Sequence, residues 1–256
     1  MNKYSYHYDR FGGIIKGTSA HLARTVMFSE LEMLLQSTNS NSNTEQYKNA
    51  IIEDNCLRKY TVSARKEAYR KLKMLYALNT RNKLFSLFRK LYESEPEELP
   101  LLAYMCAYCR DYLLRSGNDF LQTIPTGMKV CSDIFVPYIN KLYPNIYSQV
   151  TINSISRNLL SSFYKTGHIS GTKINKIRSI AKPGAAAVTF AAILAYVSGE
   201  RGFYLCDNEF THALDCSKAS ALSLLSDADA KGLIRLRLLG EFMDIKFTCA
   251  EEFINE

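Results

Sequence analysis

The sequence predicts a mainly α-helical, multi-helical protein with helix-turn-helix or winged-helix-like units and a few short strands. Apolar residues recur at helical spacing through most of the 256 residues. Ser, Thr, Asn and Gly stand where such helices would start and stop, and strand-like alternation is brief.

The chain opens on an aromatic stretch in which Tyr4, Tyr6 and Tyr8 alternate, then turns at Gly12-Gly13. A helical pattern from about Ser19 has Leu22, Val26, Leu31, Leu34 and Leu35 as its apolar face. The run from Ser37 to Glu45 is expected to be a mobile loop, because Ser, Thr and Asn compete with helix hydrogen bonds. A short helix over Gln46–Asp54 comes next. A longer one starts near Ser63, with Ser as N-cap and Leu72, Leu75 and Leu78 facing inward. Further helices are expected over Thr80–Glu93, Leu99–Arg115, Asp119–Thr123 and Lys129–Asn140, with the proline-bounded turn Glu93–Pro100 before the second of them.

After Tyr143-Pro144 the pattern changes, which divides the chain into 1–143 and 144–256. Thr151 is the expected N-cap of a helix whose stripe is Ile155, Leu159, Leu160 and Phe163, and Gly167 ends it. A basic hairpin built around Ile174, Ile177 and Ile180 follows; helix, N-capped helix and basic hairpin in this order have the shape of a winged helix-turn-helix. The remainder reads as an Ala-rich helix, helices at Cys216–Leu225 and Asp227–Leu238, and a strand near Met243–Thr248.

Lys and Arg exceed Asp and Glu by 32 to 25, a net charge of +7, and the pI is about 8.9. That excess suits a polyanionic partner without requiring one. The most basic helix carries Arg65, Lys66, Arg70, Lys71 and Lys73, with Arg58 and Lys59 before it. Positions 66, 70 and 73 share one face and can touch successive phosphates, with Thr61 or Ser63 and free backbone amides at the helix start. The winged-helix segment offers Gln149, Asn153, Ser156, Arg157 and Asn158 on its helix and Lys173, Lys176 and Arg178 on its hairpin. Asn and Gln can read adenine edges and Arg can read guanine.

Catalytic signatures are missing from the sequence. His7, His21, His168 and His212 are far apart, and no P-loop, GxGxxG, HExxH or GxSxG occurs. No cofactor and no metal is expected: Cys106 and Cys109 make a CxxC inside an apolar helix with no second ligand pair. Seven scattered cysteines and an N-terminus without an apolar secretory core fit the cytoplasm. The longest apolar run, Gly184–Val197, falls short of the roughly 20 residues that span a bilayer, so no membrane insertion is expected.

Three stretches, FGGIIKGTSAHLARTV, NCLRKYTVSARKEAYRKLKML and TINSISRNLLSSFYKTGHIS, resemble in that order the BrxA family of BREX phage-defence systems, once catalogued as inner-membrane proteins of unknown function. The resemblance covers roughly the first 180 residues, with a weaker echo at GLIRLRLLGEFMDIKF; the Ser37–Glu45 run and the aromatic start depart from it. It implies a small helical DNA-binding accessory factor, similar in part to the NusB antitermination fold, without catalytic residues, acting beside a methyltransferase and ATPases. The matching basic residues are Arg58, Lys59, Arg65, Lys66 and Arg70, and the later match includes Arg157 and Asn158. The expected partner is duplex DNA, together with other BREX subunits. A NusB-like RNA-binding role or a protein-docking scaffold is the alternative.

Overall fold

The computed structural model describes residues 11–14, 17, 19–172 and 174–254, which are mainly helical with two small antiparallel sheets. A 3-10 turn at Ala20–Leu22 leads into α1 (Phe28–Gln36), α2 (Thr44–Ile52), α3 (Val62–Tyr76) and α4 (Lys83–Ser94). Another at Pro96–Glu98 opens α5 (Leu99–Arg110), followed by α6 (Tyr112–Leu121), a 3-10 turn at Ser132–Ile134, α7 (Phe135–Leu142) and α8 (Gln149–Lys165). Then come β1 (Ile169–Gly171), β2 (Lys176–Arg178), α9 (Ala185–Val197), a 3-10 turn at Gly202–Leu205, α10 (Glu209–Ala213) and α11 (Lys218–Ala230). The hairpin β3 (Arg235–Leu239) and β4 (Phe242–Lys246) and the short α12 (Glu251–Ile254) end the described chain.

Helix boundaries follow side-chain caps more than composition. Within the Ser/Asn run, Asn43 accepts the N–H groups of Glu45 and Gln46 while Gln46 Oε1 accepts the N–H of Asn43 at 2.8 Å. This capping box starts α2 inside the expected loop. Thr61, not Ser63, caps α3, its Oγ1 accepting the N–H of Ala64 at 3.1 Å. The helix expected over Leu99–Arg115 breaks at Asp111, whose carboxylate accepts the N–H groups of Leu113 and Leu114 and so begins α6, which absorbs the separate helix expected at Asp119. Helix α8 starts at Ser148 rather than Thr151. Its end at Gly167 is as expected, the φ of +80° being a conformation that glycine adopts without strain. The two helices expected over Cys216–Leu238 are one, α11, and Arg235–Leu239 is a strand.

Two helices have no polar side. Leu101 through Cys109 on α5 and Ala185 through Ala195 on α9 are buried all round, the signature of a helix enclosed by others. They touch each other, α4 lies against both, α3 and α6 cover α5, and α10 and α11 cover α9. No helix among the described residues is long and apolar enough to cross a membrane.

The stretch from α6 to β2 makes a winged-helix-like unit. Helices α6, α7 and α8 pack on one another. Residues 127–130 run antiparallel to β2: Gly127 N–H donates to Arg178 O and Arg178 N–H to Met128 O, both at 2.8 Å, and Val130 N–H to Lys176 O at 2.9 Å. Since β2 also pairs with β1, the order is helix, bridging segment, helix, helix, strand, strand, with β2 between the segment and β1. Ile152, Ile155, Leu159 and Phe163 point inward from α8. Gly117 lets α6 approach, because a Cβ there would sit 2.8 Å from Leu159 Cδ2.

Candidate nucleic-acid interface

The basic helix α3 offers a smaller cationic surface than its sequence suggests. Lys71, counted among the cations of the basic helix, is 5% exposed and does not belong to its outer surface. With Ala68, Leu72 and Leu75 it completes an i, i+3, i+4, i+7 buried stripe, and burial, with Arg70 beside it, lowers its pKa. Arg65 is half-buried, and its Nη1 donates to Ile52 O at 2.8 Å, satisfying a carbonyl at the C-terminus of α2. Lys59 reaches Glu30 at 3.0 Å. Arg70 is exposed but forks onto Glu67 through two hydrogen bonds of 2.9 Å. Arg58, Lys66 and Lys73 remain as outward cations, Lys73 Nζ lying 5.8 Å from the Tyr69 ring centroid.

The winged-helix unit presents the cleaner surface. Gln149, Asn153 and Arg157 are exposed on α8, and Gln149 Nε2 donates to Asn153 Oδ1 at 3.0 Å. Ser156 is buried and donates to Ile152 O, and Asn158 is turned to His21 O at 3.0 Å, so neither belongs to the exposed face expected for them. Lys176 is half-buried, its Nζ 5.8 Å from the Tyr164 ring centroid, while Tyr164 Oη donates to Gly171 O and ties the hairpin to α8. Lys173 and the tyrosines 4, 6 and 8 lie outside the described residues.

Arg178 does not stand on the hairpin surface expected for it. It is 4% exposed, and its guanidinium binds Asp215 at 2.5 and 2.8 Å and also the carbonyls of His168 and Ser179. Asp215 is buried, which raises its pKa, but the Arg178 hydrogen bonds, His168 and the Ala181 N–H outweigh that and hold it below the usual carboxylate range. Arg178 therefore fastens the hairpin to the loop after α10 and is not available to a ligand.

The surface also contains residues that sequence reasoning passed over. Lys129, Lys141, Lys165 and Lys182 are exposed on or beside the unit, and Arg24 follows the Ala20–Leu22 turn that packs between α3 and α8. For Lys141, Lys165 and Lys182 a signal was present in the sequence: no Asp or Glu occurs between Asp133 and Glu200. The seven basic residues of that stretch equal the net charge of +7, and the remainder of the chain holds 25 Lys and Arg against 25 Asp and Glu.

No protein-family model matches this sequence, and no curated protein is significantly similar to it. The chemistry of the surface itself therefore carries the reading.

One buried cluster has the distances of a nucleophilic triad. His21 Nε2 is 2.9 Å from Ser162 Oγ, and His21 Nδ1 is 3.0 Å from Asp111 Oδ2. All three side chains are at most 2% exposed. Ser162 Oγ also accepts the Val26 N–H and donates to Asn158 O, so its lone pairs and proton are held inside the fold. Burial raises the pKa of Asp111, but the attraction of His21 and hydrogen bonds from His21, Ser19 and the Leu114 N–H prevail and hold it at about 2. The cluster joins the N-terminal turn to α6 and α8; a substrate has no route to the hydroxyl in this conformation.

Among the described residues no group of three His, Cys, Asp or Glu side chains converges as a metal site. Cys106 and Cys109 are both buried in α5, and burial pushes the Cys106 thiol up. A cleft of about 1050 Å³ lies between the hairpin and α11. Three of its charges are spent on the fold: Glu98 caps α9 through the Ala186 and Ala187 N–H groups, and Glu95 pairs with Lys231 at 2.6 Å.

Proposed function

We propose that this protein binds duplex DNA through its winged-helix-like unit, with α8 in the major groove and Lys141, Arg157, Lys165 and Lys176 on the flanking phosphates. The observation that carries the reading is the segregation of charge: the stretch around α8 holds no Asp or Glu and seven basic residues, six of them left once Arg178 is set against Asp215. Phosphates demand such a surface, because each carboxylate near the backbone would repel it. The outward cations of α3, Arg58, Lys66 and Lys73, supply a second and weaker contact, linked to α8 through the turn that packs between them. The protein acts without catalysis as an accessory factor in the cytoplasm, in line with the resemblance to phage-defence proteins of the BrxA type, beside other subunits of that system.

Fluorescence anisotropy with a duplex tests this. Replacing Lys141, Arg157 and Lys165 together by Glu is expected to abolish binding, whereas Lys66, Arg70 and Lys73 to Glu weakens it. Equal effects would make α3 a full partner in the interface; no binding by the unaltered protein would overturn the proposal. Structured RNA as competitor separates the NusB-like alternative, since A-form helices hide the groove that α8 would enter. A protein-docking role has one observation in its favour, the exposed Leu239 and Phe242 at the tip of the β3–β4 hairpin.

A further inference from the structure

The outward N-terminal face of α8 is not uniformly polar. Ile146, in the loop before the helix, is 64% exposed and Val150, in its first turn, 77% exposed. Between and beyond them stand Gln149 and Asn153, one helical turn apart and hydrogen-bonded to each other. That bond leaves Gln149 Oε1, its second N–H and the Asn153 Nδ2 group without a partner among the described residues. Arg157 continues the same face one turn further on, and no carboxylate lies on α7, α8 or the loop between them.

This face fits the major-groove edge of an adenine–thymine pair. Adenine presents N7 as acceptor and its N6 amino group as donor, which an amide side chain matches with one donor and one acceptor; thymine presents a C5-methyl group, which takes an apolar side chain. Guanine is met best by a forked cation, and the first turn of α8 has none. In helix-turn-helix proteins the N-terminal residues of the second helix are the ones that reach base edges.

We infer that α8 reads A·T base pairs: Gln149, steadied by Asn153, bonds adenine N7 and N6, Val150 and Ile146 cover thymine methyl groups, and Arg157 holds a phosphate at the groove edge. The inference rests on the DNA-binding reading above and adds to it a base preference and the residues responsible. Burying one methyl group is worth about fourfold in affinity, and a bidentate amide on adenine about tenfold or more.

The experiment uses the full chain and three duplexes of equal length: A·T-rich, the same sequence with deoxyuridine in place of thymidine, and G·C-rich. Deoxyuridine removes only the major-groove methyl group and leaves pairing and backbone charge unchanged. The expected order of affinity is A·T-rich above the deoxyuridine duplex, by about fourfold, and above G·C-rich by about tenfold. Val150→Ala combined with Ile146→Ala is expected to erase the thymidine–deoxyuridine difference, and Gln149→Ala to reduce the preference over G·C to that methyl contribution; all three positions are exposed, so folding is retained. Equal, salt-sensitive binding to all three duplexes would overturn the base reading while leaving DNA binding in place. Failure to bind any of them would remove the DNA-binding reading and this inference with it.

Discussion

The carboxylate of Asp111 is surrounded by donors from two distant stretches of chain, Ser19 to His21 on one side and the first turn of α6 on the other. Its folded pKa of about 2 lies below the ordinary 3.8, so its stabilisation is complete above about pH 3.8 and is lost as the pH falls through 2. Asp111→Ala leaves His21 and several buried N–H groups unpaired, and urea unfolding at neutral pH is expected to show a loss of about 3–5 kcal/mol. Asp111→Asn is expected to reduce the acid-dependent slope between pH 4 and 2, leaving the share of Asp215, which a pH series of the same unfolding curves reads directly. None of this was visible in the sequence, where Asp111 and His21 are 90 residues apart. Lys71 was visible: its place between Ala68, Leu72 and Leu75 gives it away once the apolar stripe is traced before the cations. Arg178 was not, because only the distant Asp215 explains its burial.

At the level of elements, the seating of α8 depends on close approach by α6. A Cβ at position 117 would lie within 3 Å of both Leu159 methyl groups. Gly117→Ala is expected to cost about 1–3 kcal/mol by overpacking, and combining it with Leu159→Val should recover part of that loss, a coupling that a double-mutant cycle of denaturation midpoints detects. The mainly helical fold, the helix-then-hairpin order around α8 and its end at Gly167 could be read from periodicity and glycine placement. Helix starts were harder, because Ser148 and Thr151, or Thr61 and Ser63, are equally good caps on paper and only the hydrogen bond chooses between them. The pairing of residues 127–130 with β2, which completes the unit, has no local signature: a single bridge at Lys129 joins segments nearly 50 residues apart.

Across the whole molecule, the outward cations assigned to the DNA contact lie in two groups joined by the N-terminal turn, on α3 and around α8. If the four cations placed on phosphates around α8 each neutralise one, a plot of log affinity against log salt should have a slope of about −3.6, and a steeper one if α3 joins in. A slope near zero would mean that the charge segregation serves something other than a polyanion. The same N-terminal turn ties α8 to the start of the chain, since Ser162 receives its His21 partner from 141 residues earlier. Translation at about 5–20 residues per second delivers that partner roughly 7 to 28 seconds ahead of Ser162. For that interval the ribosome displays His21 and then Asp111 with their pocket incomplete. The region around α8 thus closes only after Ser162 has been made, and a fragment beginning at α6 would lack the His21 and Val26 contacts to it.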